Sequence, residues 1–262
     1  MKRSSITLAT WNCNSLNVRL PHVLDWLAAH RPDVLCLQET KLEDAKFPRE
    51  ALKEAGYDAV VHGQKTYNGV AILSRLPMTD VTPGIAGWKD DQKRVLSATV
   101  ARVRVVCVYV PNGEKIGSEK FEYKMKWLDA LRTWLKDELE RHPLLAVAGD
   151  YNIAPEARDV HDPAAWEDKI HFTPPEREAL HELFGIGLED SFRLFDQPER
   201  SYTWWDYRMM AFRRKMGLRI DHILLSSALA KRCTSCTIDV EPRKLERPSD
   251  HAPVTAELAL GA

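Results

Sequence analysis

Asp150 and Asn152, inside GDYNIAP (149–155), are the residues of this chain best placed by type and spacing to do chemistry. A short aliphatic run, 144–148, precedes them and stops at Gly149, which reads as a buried strand. A carboxylate at such a strand end emerges at the rim of a sheet. Residues i and i+2 of an extended segment share a face. On that reading Asp150 and Asn152 act together on one small object, a water molecule or a phosphate oxygen. An Asx turn closing the strand is the alternative reading of the same two residues.

The arrangement recurs. DVLCLQETK (33–41) is a second buried strand ending in a carboxylate, Glu39, and ITLATWNCNSL (6–16) ends in the amides Asn12 and Asn14. RIDHILLS (219–226) places Asp221 inside an aliphatic strand, where an acid is costly unless paired or metal-bound. SDHAPV (249–254) offers Asp250 and His251 just before a last strand. Each has a bland reading: Glu39 as a cap, Asn12 as a turn, Asp221 paired with a neighbouring arginine. Convergence of all five segments makes a site. Carboxylates with amides, and no cysteine or histidine cluster, suit a hard cation, Mg²⁺ or Mn²⁺. A His paired to an Asp is either kept basic or held as a cation against a phosphate. The sum is metal-assisted hydrolysis of a phosphoester.

These residues also carry a family resemblance. The chain resembles the endonuclease/exonuclease/phosphatase superfamily, and within it the bacterial exonuclease III group. The resemblance rests on TWNCNSL (10–16), LQETK (37–41), YNGVAILSR (67–75), YVPNG (109–113), GDYNIAP, YTWWDYR (202–208), RIDHILLS and SDHAPV, in that order. It implies a four-layer α/β sandwich of two packed, mostly antiparallel sheets flanked by helices. It implies a Mg²⁺-dependent (or Mn²⁺-dependent) DNA-repair nuclease, both 3′-to-5′ exonuclease and apurinic/apyrimidinic endonuclease, acting on duplex DNA with abasic sites or 3′ ends. A superfamily phosphatase acting on inositol phosphates or lipid headgroups is the competing activity.

By this resemblance Glu39 is the main metal-binding carboxylate, supported by Asn12, with Asp150, Asn152 and Asp250 at a second or shifting metal position. Asp150 is also the candidate for orienting or deprotonating water, and Asn152 holds that water or a phosphate oxygen. His251, paired with Asp221, contacts the scissile phosphate, and Tyr109 contacts the phosphate or assists the leaving oxygen. A strand tyrosine whose hydroxyl reaches solvent is the other reading of Tyr109.

Net charge, −1, does not advertise nucleic-acid binding, but local charge says more. Arg208, Arg213, Arg214, Lys215 and Arg219 lie in a stretch without acids, just after Trp204 and Trp205. Cations for phosphates beside rings for bases or sugars are what a DNA groove needs. Trp204 is assigned to the DNA as a wedge, with Arg208 and Arg213 to Arg219 as a rail, and Trp205 to the core. A second basic cluster, Arg243, Lys244 and Arg247, precedes SDHAPV. His161 either closes its loop on Asp159 or Asp162 or crowds the pocket for an extrahelical sugar.

The remaining elements must position these groups. Strands are expected at 6–12, 33–38, 58–62, 69–74, 95–101, 103–110, 144–149, 220–225, 235–240 and 254–259. Asn68-Gly69 reads as a hairpin-type turn. Helices are expected at 18–30, 49–54, 118–140 and 175–184, with Ser118 as an N-cap. No linker or low-complexity stretch interrupts the motifs, so one domain over 1–262 is expected, acting as a monomer. With 44% hydrophobic residues the chain can bury a sizeable core. No apolar run approaches a membrane span, and the start lacks a signal-peptide h-region. Five cysteines without zinc-type spacing are expected to be reduced thiols, in a cytoplasmic protein.

Overall fold

The computed structural model describes residues 4–261. The chain runs β1 (Ser5–Asn12), α1 (Leu16–His30), β2 (Val34–Gln38), α2 (Arg49–Glu54), β3 (Asp58–His62), β4 (Val70–Ser74), β5 (Met78–Pro83), β6 (Val95–Val100) and β7 (Val103–Tyr109). It continues through α3 (Glu119–Arg141), β8 (Leu145–Asp150), α4 (Pro163–Trp166), α5 (Pro174–Gly185), β9 (Leu188–Asp190), β10 (Asp221–Ser226), α6 (Ser227–Ala230), β11 (Cys233–Ile238) and β12 (Val254–Ala259).

Two six-stranded sheets form, ordered β11-β12-β1-β2-β4-β3 and β5-β6-β7-β8-β10-β9. Each has one parallel pair at its centre, β1/β2 and β7/β8, and antiparallel pairs elsewhere. The parallel pairs need crossover helices, and α1 and α3 supply them. This is the four-layer, mostly antiparallel sandwich that the resemblance implies.

The central strands read as unbroken apolar runs because both faces are covered. Leu8, Val34, Cys36 and Ile72 of the first sheet pack against Val105, Cys107, Ala146 and Ile223 of the second. The alternate residues Trp11, Leu35 and Leu73 pack outward against Trp26 and Leu27 of α1. Val106, Val147 and Leu224 pack outward against Trp127, Leu131 and Leu135 of α3. Ser118 caps α3 by accepting from the Phe121 amide at 3.1 Å. Gly149 is required where β7 and β8 approach, since a Cβ there would lie 1.9 Å from the Val108 carbonyl oxygen.

Several details differ from expectation. Asn68-Gly69 is not a two-residue hairpin turn, because β3 and β4 are joined by residues 63–69. Both residues nevertheless take positive φ, 52° and 87°, and their carbonyls accept from the amides of Lys41 and Thr40. The turn serves the Glu39 segment rather than the hairpin. β5 and β9 were not anticipated: β5 is an exposed edge strand of mixed polarity, and β9 has only three residues. β11 lies two residues earlier than expected, with a register shift between Cys233 and Ser235.

Candidate active site

The chemistry-bearing residues leave the carboxyl ends of the two parallel pairs, where ligands bind in α/β sheets. Asn12 ends β1, Glu39 follows β2, Tyr109 ends β7 and Asp150 ends β8. Antiparallel β10 sets Asp221 opposite Asp150 in register, and Asp150 also pairs with Tyr109. His251 is placed by the chain just before β12, where Ser249 donates to the Asn12 carbonyl at 2.7 Å. Both sheets therefore contribute to one cluster.

Asn12 bridges the two carboxylates: its Nδ2 donates to Glu39 Oε1 at 2.9 Å and to Asp150 Oδ2 at 2.8 Å. Lys41 Nζ lies 2.9 Å from Glu39 Oε2 and donates to Asn14 Oδ1 at 2.7 Å. Asp221 finds its partner in His251 rather than in an arginine, with the imidazole Nδ1 donating to Oδ2 at 2.9 Å. His251 Nε2 is left facing Asp150 Oδ2 at 3.8 Å. Asp221 is fixed in turn by its own amide donating to Thr203 Oγ1 at 3.0 Å.

Burial opposes charge on His251, yet Asp221 and Asp150 outweigh it and push the pKa up to about 10. At neutral pH the imidazole is a cation. Burial pushes the Asp150 carboxyl up to about 7, against the pull of His251 and with Asp221 adding to the rise. Burial also pushes the Tyr109 hydroxyl well above its usual range, with Glu39 adding to it. A hydroxyl so placed is protonated.

Ligand atoms of Glu39, Asp150 and His251 lie within 4.8 Å of one another. Glu39 and Asp150 offer carboxylate oxygens there, with the amides alongside, and His251 offers an imidazole nitrogen. Hard oxygen donors suit a hard divalent ion. Such an ion would also relieve the cost of keeping Asp150 ionised while buried.

Asn152 meets Asp150 by a different geometry from the extended pairing expected. It has φ 51°, its amide donates to Asp150 Oδ1 at 2.9 Å, and its Nδ2 lies 3.4 Å from Asp150 Oδ2. The bond from the Asn152 amide to Asp150 Oδ1 is the Asx turn of the alternative reading, and it keeps the two side chains together. Asp250 stands apart from the three-residue cluster, accepting from Asn14 Nδ2 at 2.9 Å and Trp204 Nε1 at 3.0 Å. Each of its oxygens accepts one hydrogen bond and keeps a further lone pair.

The basic stretch divides. Arg219 is buried and is no part of a surface rail: it bonds Asp159 at 2.7 Å and Asp190 at 2.8 Å. Arg243 is likewise buried, beneath the rings of Trp205, Tyr207 and Phe212. Arg208 is exposed but forked onto Asp206, with Nη2 to Oδ2 at 2.6 Å. Arg213 and Arg214 are exposed. Trp205 is a core residue, whereas Trp204 is half-buried beside the cluster, 5.8 Å from the His171 ring. His161 bonds neither Asp159 nor Asp162; its Nδ1 faces the Gly217 carbonyl at 3.3 Å, and its ring meets Trp166 edge-on.

Two supports escaped the sequence reading. Lys124, fully buried, donates to the carbonyls of Asn152 at 2.9 Å and Asn112 at 3.1 Å and pairs with Glu176. Its signal was present: it falls on the apolar face of α3, three residues after Phe121 and four before Leu128. His171 donates Nδ1–H to the same Asn152 carbonyl at 2.9 Å, and burial lowers its pKa to about 4, so it is neutral. Its φ of 78° has no marker in the sequence.

Carboxylates that can hold a hard cation, a histidinium against them and a tyrosine hydroxyl at the rim define a metal-assisted phosphoester hydrolase. The chain belongs to the Endonuclease/Exonuclease/phosphatase family, whose model matches residues 9–251. It is 37% identical to the exodeoxyribonuclease III of Haemophilus influenzae over 262 residues, covering 95% of this chain and 98% of that one. Among solved structures it is similar to the 3′ phosphatase NExo from Neisseria bound to a product DNA hairpin. That match has a TM-score of 0.95 and 50% identity, covering 97% of this chain and 99% of the other. It is also similar to an AP endonuclease from Archaeoglobus fulgidus, with a TM-score of 0.93 and 40% identity over 96% of this chain and 98% of that chain.

Proposed function

We propose that this protein is a Mg²⁺-dependent (or Mn²⁺-dependent) DNA-repair nuclease that hydrolyses phosphodiester bonds in duplex DNA. It acts at 3′ ends as a 3′-to-5′ exonuclease and at abasic sites as an endonuclease. The observation that carries this reading is the buried Asp221–His251 pair facing Asp150, with Glu39 joined to Asp150 through Asn12. The relatives named as nucleases supply the polymer, and Trp204 beside the cluster supplies a ring for a base or sugar. An inositol phosphatase has no use for that ring.

Glu39 and Asp150 would hold the cation, which when bound supplies Lewis-acid polarisation of a phosphate oxygen. The protein's own groups divide the rest. Asp150, beside Asn152 and facing His251 Nε2, is placed to accept the proton of an attacking water that Asn152 orients. His251 stays protonated and bears the growing phosphate charge, and Asp221 holds it in that form. Tyr109, protonated at the far side, donates toward the departing 3′ oxygen. A 3′-terminal phosphate and an internal diester present the same bond to this arrangement.

We read residues 1–262 as one domain acting as a monomer, because both sheets of one chain furnish the cluster. No helix among the described residues is long and apolar enough to cross a membrane. Five free cysteines fit a reducing cytoplasm. The test is a duplex carrying one abasic-site analogue, and a second with a recessed 3′ end, each incubated with and without Mg²⁺ and resolved by length. Incision at the analogue and shortening from the 3′ end, both abolished by a chelator, are the expected results. Intact DNA alongside hydrolysis of inositol phosphates would refute the assignment.

A further inference from the structure

A cavity of about 800 Å³ opens beside the catalytic cluster, with Glu39 and Tyr109 on one wall. Asp150, His251 and Trp204 do not line it, so it extends from the Tyr109 side of the site. Gln64, Tyr67, Asn68, Gln92 and Lys120 line its other walls.

The amide side chains there have orientations imposed by obligate donors. Arg94 can only donate, and its Nε donates to Gln92 Oε1 at 2.8 Å. The Lys93 amide can only donate, and it donates to Gln64 Oε1 at 3.1 Å. Asn68 Nδ2 donates to Gln64 Oε1 at 2.9 Å and reaches Gln92 Oε1 at 3.5 Å. Both glutamine oxygens are thereby engaged. Both Nε2 amino groups remain, and neither donates to any described residue.

This frame is in register with the reaction centre. Arg94 is buried over the Tyr109 ring at 4.6 Å and donates to the Tyr109 carbonyl at 3.2 Å. The Asn68 and Gly69 carbonyls accept from the amides of Lys41 and Thr40, the residues that follow Glu39. A Cβ at Gly69 would lie 2.3 Å from Thr40 Oγ1, so only glycine lets this turn pack this closely on the Glu39 segment. The cavity thus presents fixed N–H donors, with Lys41 and Lys120 as cations. Glu114, its second acid, faces Lys120 at 3.4 Å. Such a wall suits a ligand made of acceptors, and a phosphodiester backbone is one.

We infer that this cavity is the subsite for the strand that keeps the leaving 3′ oxygen, with Gln92 and Gln64 as positioning donors to one of its backbone phosphates. The inference rests on the nuclease reading, which places the leaving oxygen at Tyr109. The same donors would also donate to base-edge acceptors of the minor groove, so the test separates the two.

Gln92→Glu keeps an oxygen for Arg94 and turns an acidic acceptor toward the cavity; Gln92→Ala removes the group. Both are compared with the wild type on a recessed-3′-end duplex and on bis(p-nitrophenyl) phosphate, with thermal melting to confirm folding. KM for the duplex should rise about tenfold or more, the loss of a charge-assisted hydrogen bond. That loss should exceed the loss on the small diester by about the same factor. A neutral methylphosphonate is then walked along the retained strand, and at one linkage the gap between wild type and variant should vanish. A gap that closes only with 3-deazaadenine places the contact on a base edge and overturns the backbone assignment. An unchanged KM, or equal losses on both substrates, overturns the subsite while leaving the nuclease reading intact. A wild type inert on DNA would remove the nuclease reading itself.

Discussion

The catalytic floor and the rim built by residues 202–219 are held in opposite ways. On the floor the groups are buried and held by one another: His251 donates to Asp221 Oδ2, Asn12 is shared between two carboxylates, and Asp221 Oδ1 alone has no partner among the described residues. At the rim Tyr207, Met209 and Met210 are exposed, the two methionines take positive φ, and Arg208 is spent on Asp206. Bond breaking needs charges fixed to fractions of an ångström. Holding a long, variable polymer needs exposed rings and cations. On the proposed mechanism the difference separates the residues that would set the rate of the chemical step from those that would set which phosphate arrives there.

The largest effect should come from the floor. His251→Ala and Asp221→Ala should each slow turnover by about 10²–10³-fold or more, with the duplex still bound. Because the two act as a unit, the double variant should be about as slow as the worse single one. Additive losses in kcat would break the pair. Glu39→Gln should slow turnover steeply with partial rescue by higher Mg²⁺ or Mn²⁺, read by titrating the metal.

Next comes the buried network beneath the floor. Arg219→Met takes the arginine from Asp190 and leaves Asp159 with Arg193 alone, and losing one partner of a buried pair costs about 3–5 kcal/mol of stability. Burial alone would raise the Asp159 carboxyl, but Arg219 and Arg193 outweigh it and hold it below the usual range. A depressed folded pKa stabilises above the unfolded value, about 3.9, and that stability is lost as pH falls through the folded one. Asp159→Asn should therefore flatten the loss of stability below about pH 4 in denaturant melts. An unchanged acid limb would show the network is not the acid-labile element.

The rim should show the smaller, selective effects. Trp204→Ala should slow cleavage of abasic DNA by roughly tenfold or more, given base–aromatic stacking of about 1–3 kcal/mol, and a small diester far less. Its indole also holds Asp250, so equal loss on both substrates would move Trp204 from the rim to the floor. Replacing Arg213 and Arg214 should weaken DNA binding generally and flatten its salt dependence, as measured by titration at several salt concentrations.

Legibility in the sequence follows the same division. Strands buried on both faces write themselves as aliphatic runs, and their polar ends stand out; that is why Glu39, Asp150 and Asp221 were found. The edge strand β5 and the three-residue β9 carry no such run. Buried charge was harder: Arg219 and Arg243 look like surface cations until Asp159, Asp190 and the ring of Trp205 close over them. No spacing rule links Arg219 to an acid sixty residues away. His171 likewise carries no marker for its positive φ, since its conformation is imposed by a bond to the distant Asn152 carbonyl.

In the proposed mechanism Glu39 and Asp150 hold a divalent cation while His251 stays protonated against the phosphate. A single-turnover time course on duplex DNA, with Mg²⁺ varied and an excess of chelator as the zero point, tests it most directly in the wild type and in Glu39→Gln. The account predicts no cleavage in chelator. It also predicts a much higher Mg²⁺ requirement for Glu39→Gln, at unchanged DNA affinity. Full cleavage in chelator, or a variant with the wild-type Mg²⁺ dependence, would contradict it.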